Sequence, residues 1–290
     1  MTRILVTGSQ GQVACSLRER LKGHELHFTE RPDFDLANPG SIDRAVDAVA
    51  PALIISTAAY TAVDRAEDEP ELAMAINGIG PSLLARAAAR NGAAILHLST
   101  DYVFDGSGQR PWREDDRLAP LGVYGQSKLV GERAIAQSGV PHAILRTSWV
   151  YSPFGSNFVK TMLRLAQAGQ TVRVVDDQVG CPTSALDLAD AIGALIDMWT
   201  PSEQPPWHGI YHLAGTGSTS WADFARAIFA WCDAHGEPHV SVRGISTTDF
   251  LSRAPRPANS RLDCGHIQRA FGIVMPTWPE SLEKILLRLK

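Results

Sequence analysis

The 290-residue sequence predicts an α/β fold: a Rossmann-type, doubly wound parallel sheet followed by a smaller mixed α/β region. Three observations predict it. Short β-branched runs alternate with longer alanine-rich helical ones through the first half. A glycine-spaced turn follows the first strand candidate at once. No repeat or low-complexity tether separates the two halves.

Ile4 to Val6 is apolar at consecutive positions, as in a parallel strand buried on both faces. After the glycine turn a helix runs to Leu21, and Glu25 to Thr29 reads as the second strand. Ser41 to Val49 is helical, with Ser41 as its expected N-cap. Leu53 to Ser56 is the third strand, and Glu71 to Asn91 is a long helix ending near Gly92. Ala94 to Ser99 forms the fourth strand, Leu129 to Gln137 belongs to a helix, and His142 to Arg146 is the fifth strand. Beyond them, Phe158 to Ala168, Leu186 to Trp199 and Trp221 to Asp233 read as helices, and Gly209 to Ala214 as a strand. The proline-rich stretch Ala254 to Asn259 is expected to be irregular.

Composition excludes several classes. Apolar residues make up 44% and charged ones 20%, which supports a full core. A net charge of −4 gives no reason to expect a nucleic-acid partner. The four cysteines are scattered, so free thiols in a reducing cytoplasm are expected rather than a metal cluster. No apolar stretch of about 18 residues stands out as a membrane span, and no targeting segment is visible.

The turn Thr7-Gly8-Ser9-Gln10-Gly11-Gln12-Val13-Ala14 has the form G-x-x-G-x-x-A. Gly8 permits the tight turn, Gly11 lets backbone approach a pyrophosphate, and Ala14 keeps the helix close to the sheet. A dinucleotide site is therefore expected in residues 1–150, with 170–215 returning to that unit. Glu30, at the end of the second strand, stands where an acid would take ribose hydroxyls. Arg31 beside it would instead meet a 2′-phosphate, so NADH and NADPH both remain open.

Tyr124-Gly125-Gln126-Ser127-Lys128 places a phenol and an ammonium on one helix face. A free phenol titrates near about 10, and a cation beside it lowers that value. Such a pair would serve general acid–base chemistry on a carbonyl, worth roughly 10²–10⁴ in rate. Ser99-Thr100-Asp101 ends the fourth strand, where open α/β sheets bind ligands. Thr100 would hold a substrate oxygen beside Tyr124; its alternative use is to cap the following loop.

Together these features resemble the extended short-chain dehydrogenase/reductase family. Longer stretches narrow the likeness to the dTDP-4-dehydrorhamnose reductases: Ala58-Ala59-Tyr60-Thr61-Ala62-Val63-Asp64, Ser99 to Gly106, Arg146 to Tyr151, Asp177 to Thr183 and Arg256 to Ser260. The resemblance implies NADPH- or NADH-dependent reduction of a 4-keto group on a nucleotide sugar by a cytoplasmic monomer or homodimer. It implies that Thr100, Tyr124 and Lys128 are catalytic, and that Gly8, Gln10, Gly11, Gln12, Val13 and Glu30 meet the cofactor. Asp35, Leu36, Ala59, Tyr60, Thr61 and Leu98 would line the rest of its cleft. Thr100, Asp101, Tyr124, Trp149 and Arg256 would meet the substrate, Arg256 at a nucleotide phosphate. Residues 151–169 and 216–290 would form the substrate-binding region.

Departures from the family pattern are Tyr60, where histidine is familiar, and Ser16, where some members carry an acid for a dimer-bridging magnesium. Ser16 in that place argues against a magnesium-bridged dimer. A nucleotide-sugar epimerase of the same fold, or a non-catalytic regulatory subunit like that of methionine adenosyltransferase, are the rival readings.

Overall fold

A computed structural model describes residues 2–167, 171–200 and 203–290. Six parallel strands form the central sheet: β1 (Arg3–Thr7), β2 (Glu25–Thr29), β3 (Leu53–Ser56), β4 (Ala94–Thr100), β5 (His142–Thr147) and β6 (Gly209–His212). Their order is β6-β5-β4-β3-β1-β2. Strand alternation sends Ile4 and Val6 to one face of the sheet and Leu5 to the other. Both faces are covered, which is why β1 and β3 carry unbroken apolar runs.

Helix α1 (Gln12–Arg20) lies over the first face. α2 (Pro39–Val49), the long α3 (Pro70–Asn91) and α4 (Val123–Ala136) cover the other. α5 (Phe158–Ala166) follows, and α6 (Ala185–Asp197) returns to pack beside α1, so the second half completes the first core. A separate core forms where α5, α7 (Trp221–Ala234) and α9 (Trp278–Leu289) meet, around Met162, Phe224, Ile228 and Ile285. α8 (Gly265–Phe271) sends Ile267 into the first core.

The structure corrects several boundaries. α2 begins two residues before Ser41, because Asn38 caps it by accepting from the Gly40 N–H and Pro39 pre-sets the first turn. Ser41 instead bonds the Asp35 backbone with its hydroxyl. Asn259 and Ser260 leave the irregular stretch to pair in parallel with Val179 and Gly180. α5 ends at Ala166, and Ala168, where its end was expected, lies outside the described residues.

The expected long helix is one continuous segment with a π turn at Ala75–Ile79. By length and composition it is apolar enough to span a membrane, contrary to the sequence reading, yet half of that window is buried within the protein. Its alanines pack against α2 and α4, so it behaves as a core helix. Gly92 closes it in the left-handed conformation (φ 66°), as expected. The four cysteines are free.

Candidate active site

The sheet reverses its winding between β1 and β3, and the crevice above their carboxyl ends is where open α/β sheets hold ligands. Gly8 opens the turn after β1 with φ 88°, a conformation that side chains resist. Gly11 precedes α1, which has no side-chain cap and no acid in its first turn, so its leading N–H groups are open to an anion. A Cβ at Gly11 would meet no atom within 4 Å, leaving the cradle a pyrophosphate needs. These features fit a dinucleotide.

Around that turn the side chains have defined tasks. Ser9 and Gln10 both donate to Glu30, holding its carboxylate against the turn. Gln12 accepts from Ser152 and Asn157 and donates to the Val150 carbonyl, tying the turn to the second half. Val13 packs against the first core. Thr57 closes the floor by donating to the Thr7 carbonyl at 2.5 Å. Asp35 is half-buried and accepts from the Ala37 N–H. Leu36, by contrast, has its side chain in the core with Phe34, Ile42 and Leu84, so only its backbone is available to a ligand.

Tyr60 presents its backbone to the π turn: its N–H donates to Asn77 Oδ1 and its carbonyl accepts from Asn77 Nδ2. Its phenol donates to Glu69 at 2.6 Å, and that bond holds the phenol above its ordinary value. Ala59 is half-buried and Thr61 exposed.

The start of α4 is set from a distance. Glu67 accepts from the Val123 N–H at 2.8 Å, satisfying one of the donors a helix leaves open. Tyr124 and Lys128 then fall one turn apart, and Ser127 between them donates to the Tyr124 carbonyl and accepts from Asn77. Gly125 is required, because a Cβ there would collide with the Tyr102 carbonyl oxygen. Gly125→Ala is expected to cost about 1–3 kcal/mol of stability, through displacement of α4. Thermal unfolding and turnover measured together would check this, and a variant normal in both would contradict it.

The electrostatics depart from the sequence expectation. Burial pushes the Tyr124 phenol up, partly offset by the Thr100 hydroxyl beside it, and Asp101 and Tyr102 raise it further. Lys128 does not lower it. The ammonium is drawn instead to the Leu98 carbonyl at 2.7 Å and to His97 Nε2 at 3.3 Å. Burial lowers Lys128 itself to about 8, against the favourable charge of Glu132 one turn on.

Thr100 both stands beside Tyr124 and caps the next turn, accepting from the Tyr102 N–H and donating to Asp101. Asp101 is buried and raised to about 6 by desolvation, against the pull of Ser260 and Thr100. Among the described residues its Oδ2 has no hydrogen-bond partner, nor do the buried hydroxyls of Ser99 and Thr147. Asp101 and Thr147 stand beside Thr100 at the carboxyl ends of β4 and β5, whereas Ser99 falls on the opposite face of β4.

Trp149 leaves β5 with φ 49°, a rare conformation for an aromatic residue. Its half-buried ring stacks on Trp221 at 3.6 Å and lies where a Cβ on Gly180 would be. Strain of this kind, about 1–3 kcal/mol, gathers at functional sites. Arg256 is held by Asp64 at 2.8 Å, the Tyr102 phenol at 3.3 Å and Ser252 at 3.1 Å. A phosphate there would share this arginine with Asp64.

His97, Asn77, Glu67 and Asp64 organise the site, and sequence reasoning passed over all four in that role. Only His97 carried a local signal, an imidazole inside an otherwise apolar strand.

The family model described as RmlD substrate binding domain matches residues 1–290. The dTDP-4-dehydrorhamnose reductase of Sinorhizobium fredii (strain NBRC 101917 / NGR234) is 46% identical over 288 residues, which cover 99% of this chain and 97% of that one. The enzyme of the same description from Escherichia coli (strain K12) is 40% identical, with 99% and 97% covered. A crystal structure of dTDP-4-dehydrorhamnose reductase from Bacillus anthracis str. Ames in complex with NADP superimposes with a TM-score of 0.92. It is 36% identical, with 99% of each chain covered.

Proposed function

The chain belongs to the dTDP-4-dehydrorhamnose reductase family, and on that premise we propose how its residues reduce the 4-keto group of dTDP-4-dehydro-6-deoxy-L-mannose to dTDP-L-rhamnose. The observation that carries the proposal is the placement of Tyr124 and Lys128 one turn apart on α4, with Thr100 beside the phenol.

A reduced nicotinamide, when bound, supplies the hydride for C4. Gly8, Gln10, Gly11, Gln12 and Val13 hold its pyrophosphate, Glu30 and Asp35 the adenosine side, and Ala59, Tyr60, Thr61 and Leu98 the remaining cleft. Thr100, turning its hydroxyl proton from Asp101 to the substrate, donates to the carbonyl oxygen and aligns it with Tyr124. The buried phenol is fully protonated at neutral pH and delivers its proton to that oxygen as charge develops there. Lys128 holds the nicotinamide ribose. Asp101 and Trp149 line the sugar, and Arg256 meets a nucleotide phosphate. Residues 151–169, of which 168 and 169 lie outside the described residues, and 216–290 supply the rest of the substrate-binding region. The cytoplasm is the proposed location, in keeping with four free thiols.

Ser16 does not fit a magnesium ligand: its buried hydroxyl donates to the Gln12 carbonyl. No step is assigned to a metal.

Loss of reduced-nicotinamide absorbance on adding enzymatically prepared dTDP-4-dehydrorhamnose tests the reading. Sugar-dependent oxidation is expected; purified protein carrying stoichiometric NAD without net oxidation would favour an epimerase. The rate should also fall as pH rises through about 8, because the Lys128 ammonium is intact below that value and lost above it.

Glu30 bears on the choice of cofactor. A carboxylate pinned by Ser9 and Gln10 accepts from ribose hydroxyls and repels a 2′-phosphate, whereas Arg31 attracts one. Glu30→Ala is expected to raise kcat/KM for NADPH relative to NADH by roughly ten-fold, the equivalent of about 1.4 kcal/mol. An unchanged ratio would remove Glu30 from cofactor selection.

A further inference from the structure

We propose that His97 is the positioning residue that fixes Lys128 in the active site, with Ser56 setting the orientation and tautomer of its imidazole. The proposal rests on the reading of Lys128 given above.

Three elements converge on this contact. Ser56 ends β3, His97 lies in the middle of the neighbouring β4, and Lys128 reaches in from α4. All three are almost fully buried, at 1%, 1% and 3% exposure. His97 Nδ1 lies 3.0 Å from Ser56 Oγ, and Nε2 lies 3.3 Å from Lys128 Nζ. An ammonium only donates, so Nε2 must be the accepting nitrogen. Nδ1 therefore carries the proton and donates it to the Ser56 hydroxyl. Burial and the nearby Lys128 charge both hold His97 well below its ordinary value, which keeps it neutral and fit to accept.

The imidazole thus serves as one of two fixed acceptors for Lys128, the Leu98 carbonyl being the other. They take two of the three ammonium protons and leave one for a ligand. The charged or titratable neighbours are Tyr124 one turn before and Glu132 one turn after, and Glu132 is itself paired with Arg146. From the π turn of α3 comes only the uncharged Asn77, which bonds Ser127. An apolar residue at 97 would leave the ammonium with the Leu98 carbonyl alone. Its charged form would then be less favoured, and its position less defined.

The test compares His97→Leu, His97→Asn and His97→Gln with Lys128→Met. Each is measured for dissociation constants of NADH and NADPH, for the pH dependence of kcat/KM and for Tm. The Gln amide oxygen reaches the Nε2 position; the Asn side chain keeps polarity but falls short of Lys128. In His97→Leu and His97→Asn the dissociation constants should rise about ten-fold, as for loss of one charge-assisted hydrogen bond. The alkaline limb should move about one pH unit lower for the same reason. His97→Gln should restore both. A loss of Tm alone, with binding and the limb unchanged in a folded His97→Asn or His97→Leu, would overturn the proposal and leave His97 a core residue. If Lys128→Met itself leaves binding and turnover intact, the assignment of Lys128 fails, and His97 has no such role to support.

Discussion

Tyr124→Phe is expected to lower turnover by roughly 10²–10⁴-fold, the share that a positioned proton donor contributes. The ring would stay where it is, because its surroundings are set by neighbours that the hydroxyl does not hold. Gly125 packs its backbone on the Tyr102 carbonyl, Ser127 bonds the Tyr124 carbonyl, and the Tyr102 ring meets the Tyr124 ring edge-on at 5.5 Å. Cofactor dissociation constants and Tm should therefore change little. This selective loss is what separates a proton donor from a structural aromatic. Equal losses of cofactor affinity and turnover would point to a displaced helix instead. Retention of most activity would show that another group, such as the neighbouring Thr100 hydroxyl, delivers the proton.

That prediction depends on a balance the sequence alone misjudged. Spacing placed Tyr124 and Lys128 on one helix face, and they are there. Spacing also led to the expectation that Lys128 would draw the phenol down. In the folded chain the ammonium turns to Leu98 and His97, and burial of the ring wins, so the phenol is held up. The direction of a pKa depends on which polar groups surround a side chain in three dimensions. None of those partners lies within the Tyr124–Lys128 motif.

The same distinction runs through the fold. Unbroken apolar runs made β1, β3 and β5 legible, since such runs fit a strand covered on both faces. The turn from Gly8 to Ala14 was legible because its glycines answer a local backbone requirement. The π turn was not, since Asn77 is held there by Tyr60 and Ser127, 17 and 50 residues away. Nor was the pairing of Arg256 with Asp64 across 192 residues, which gives a loop arginine a fixed position. Leu36 shows the converse limit, since only its backbone is left to a ligand. A resemblance carried it to the cofactor cleft, and packing placed its side chain in the core.

Arg146→Met is expected to destabilise the protein by about 3–5 kcal/mol, because it strands the carboxylate of Glu132 in the interior. The pair is bidentate, with Nε to Oε1 at 2.9 Å and Nη2 to Oε2 at 2.7 Å, and both side chains are almost wholly enclosed. Phe104 lies beneath the guanidinium at 5.2 Å, and Trp112 stacks on Phe104 at 4.7 Å. The third guanidinium nitrogen reaches the Glu114 carbonyl, so no part of the cation is left to water. At roughly 2–4 °C per kcal/mol for a chain of this size, Tm should fall by about 10 °C. Glu132→Leu alone should cost a similar amount by leaving the cation unpaired. The double variant should recover much of the loss, since an apolar pair of matching volume avoids both desolvation costs. Yet the double variant should not be a normal enzyme. Glu132 is the neighbouring charge that favours the Lys128 ammonium, so without it the alkaline limb should move to lower pH even where stability is restored. A double variant recovered in Tm but shifted in pH profile would assign Glu132 to both the core and the site. Recovery in both would confine the pair to the fold, and a single-variant cost below about 1 kcal/mol would sink the burial argument itself.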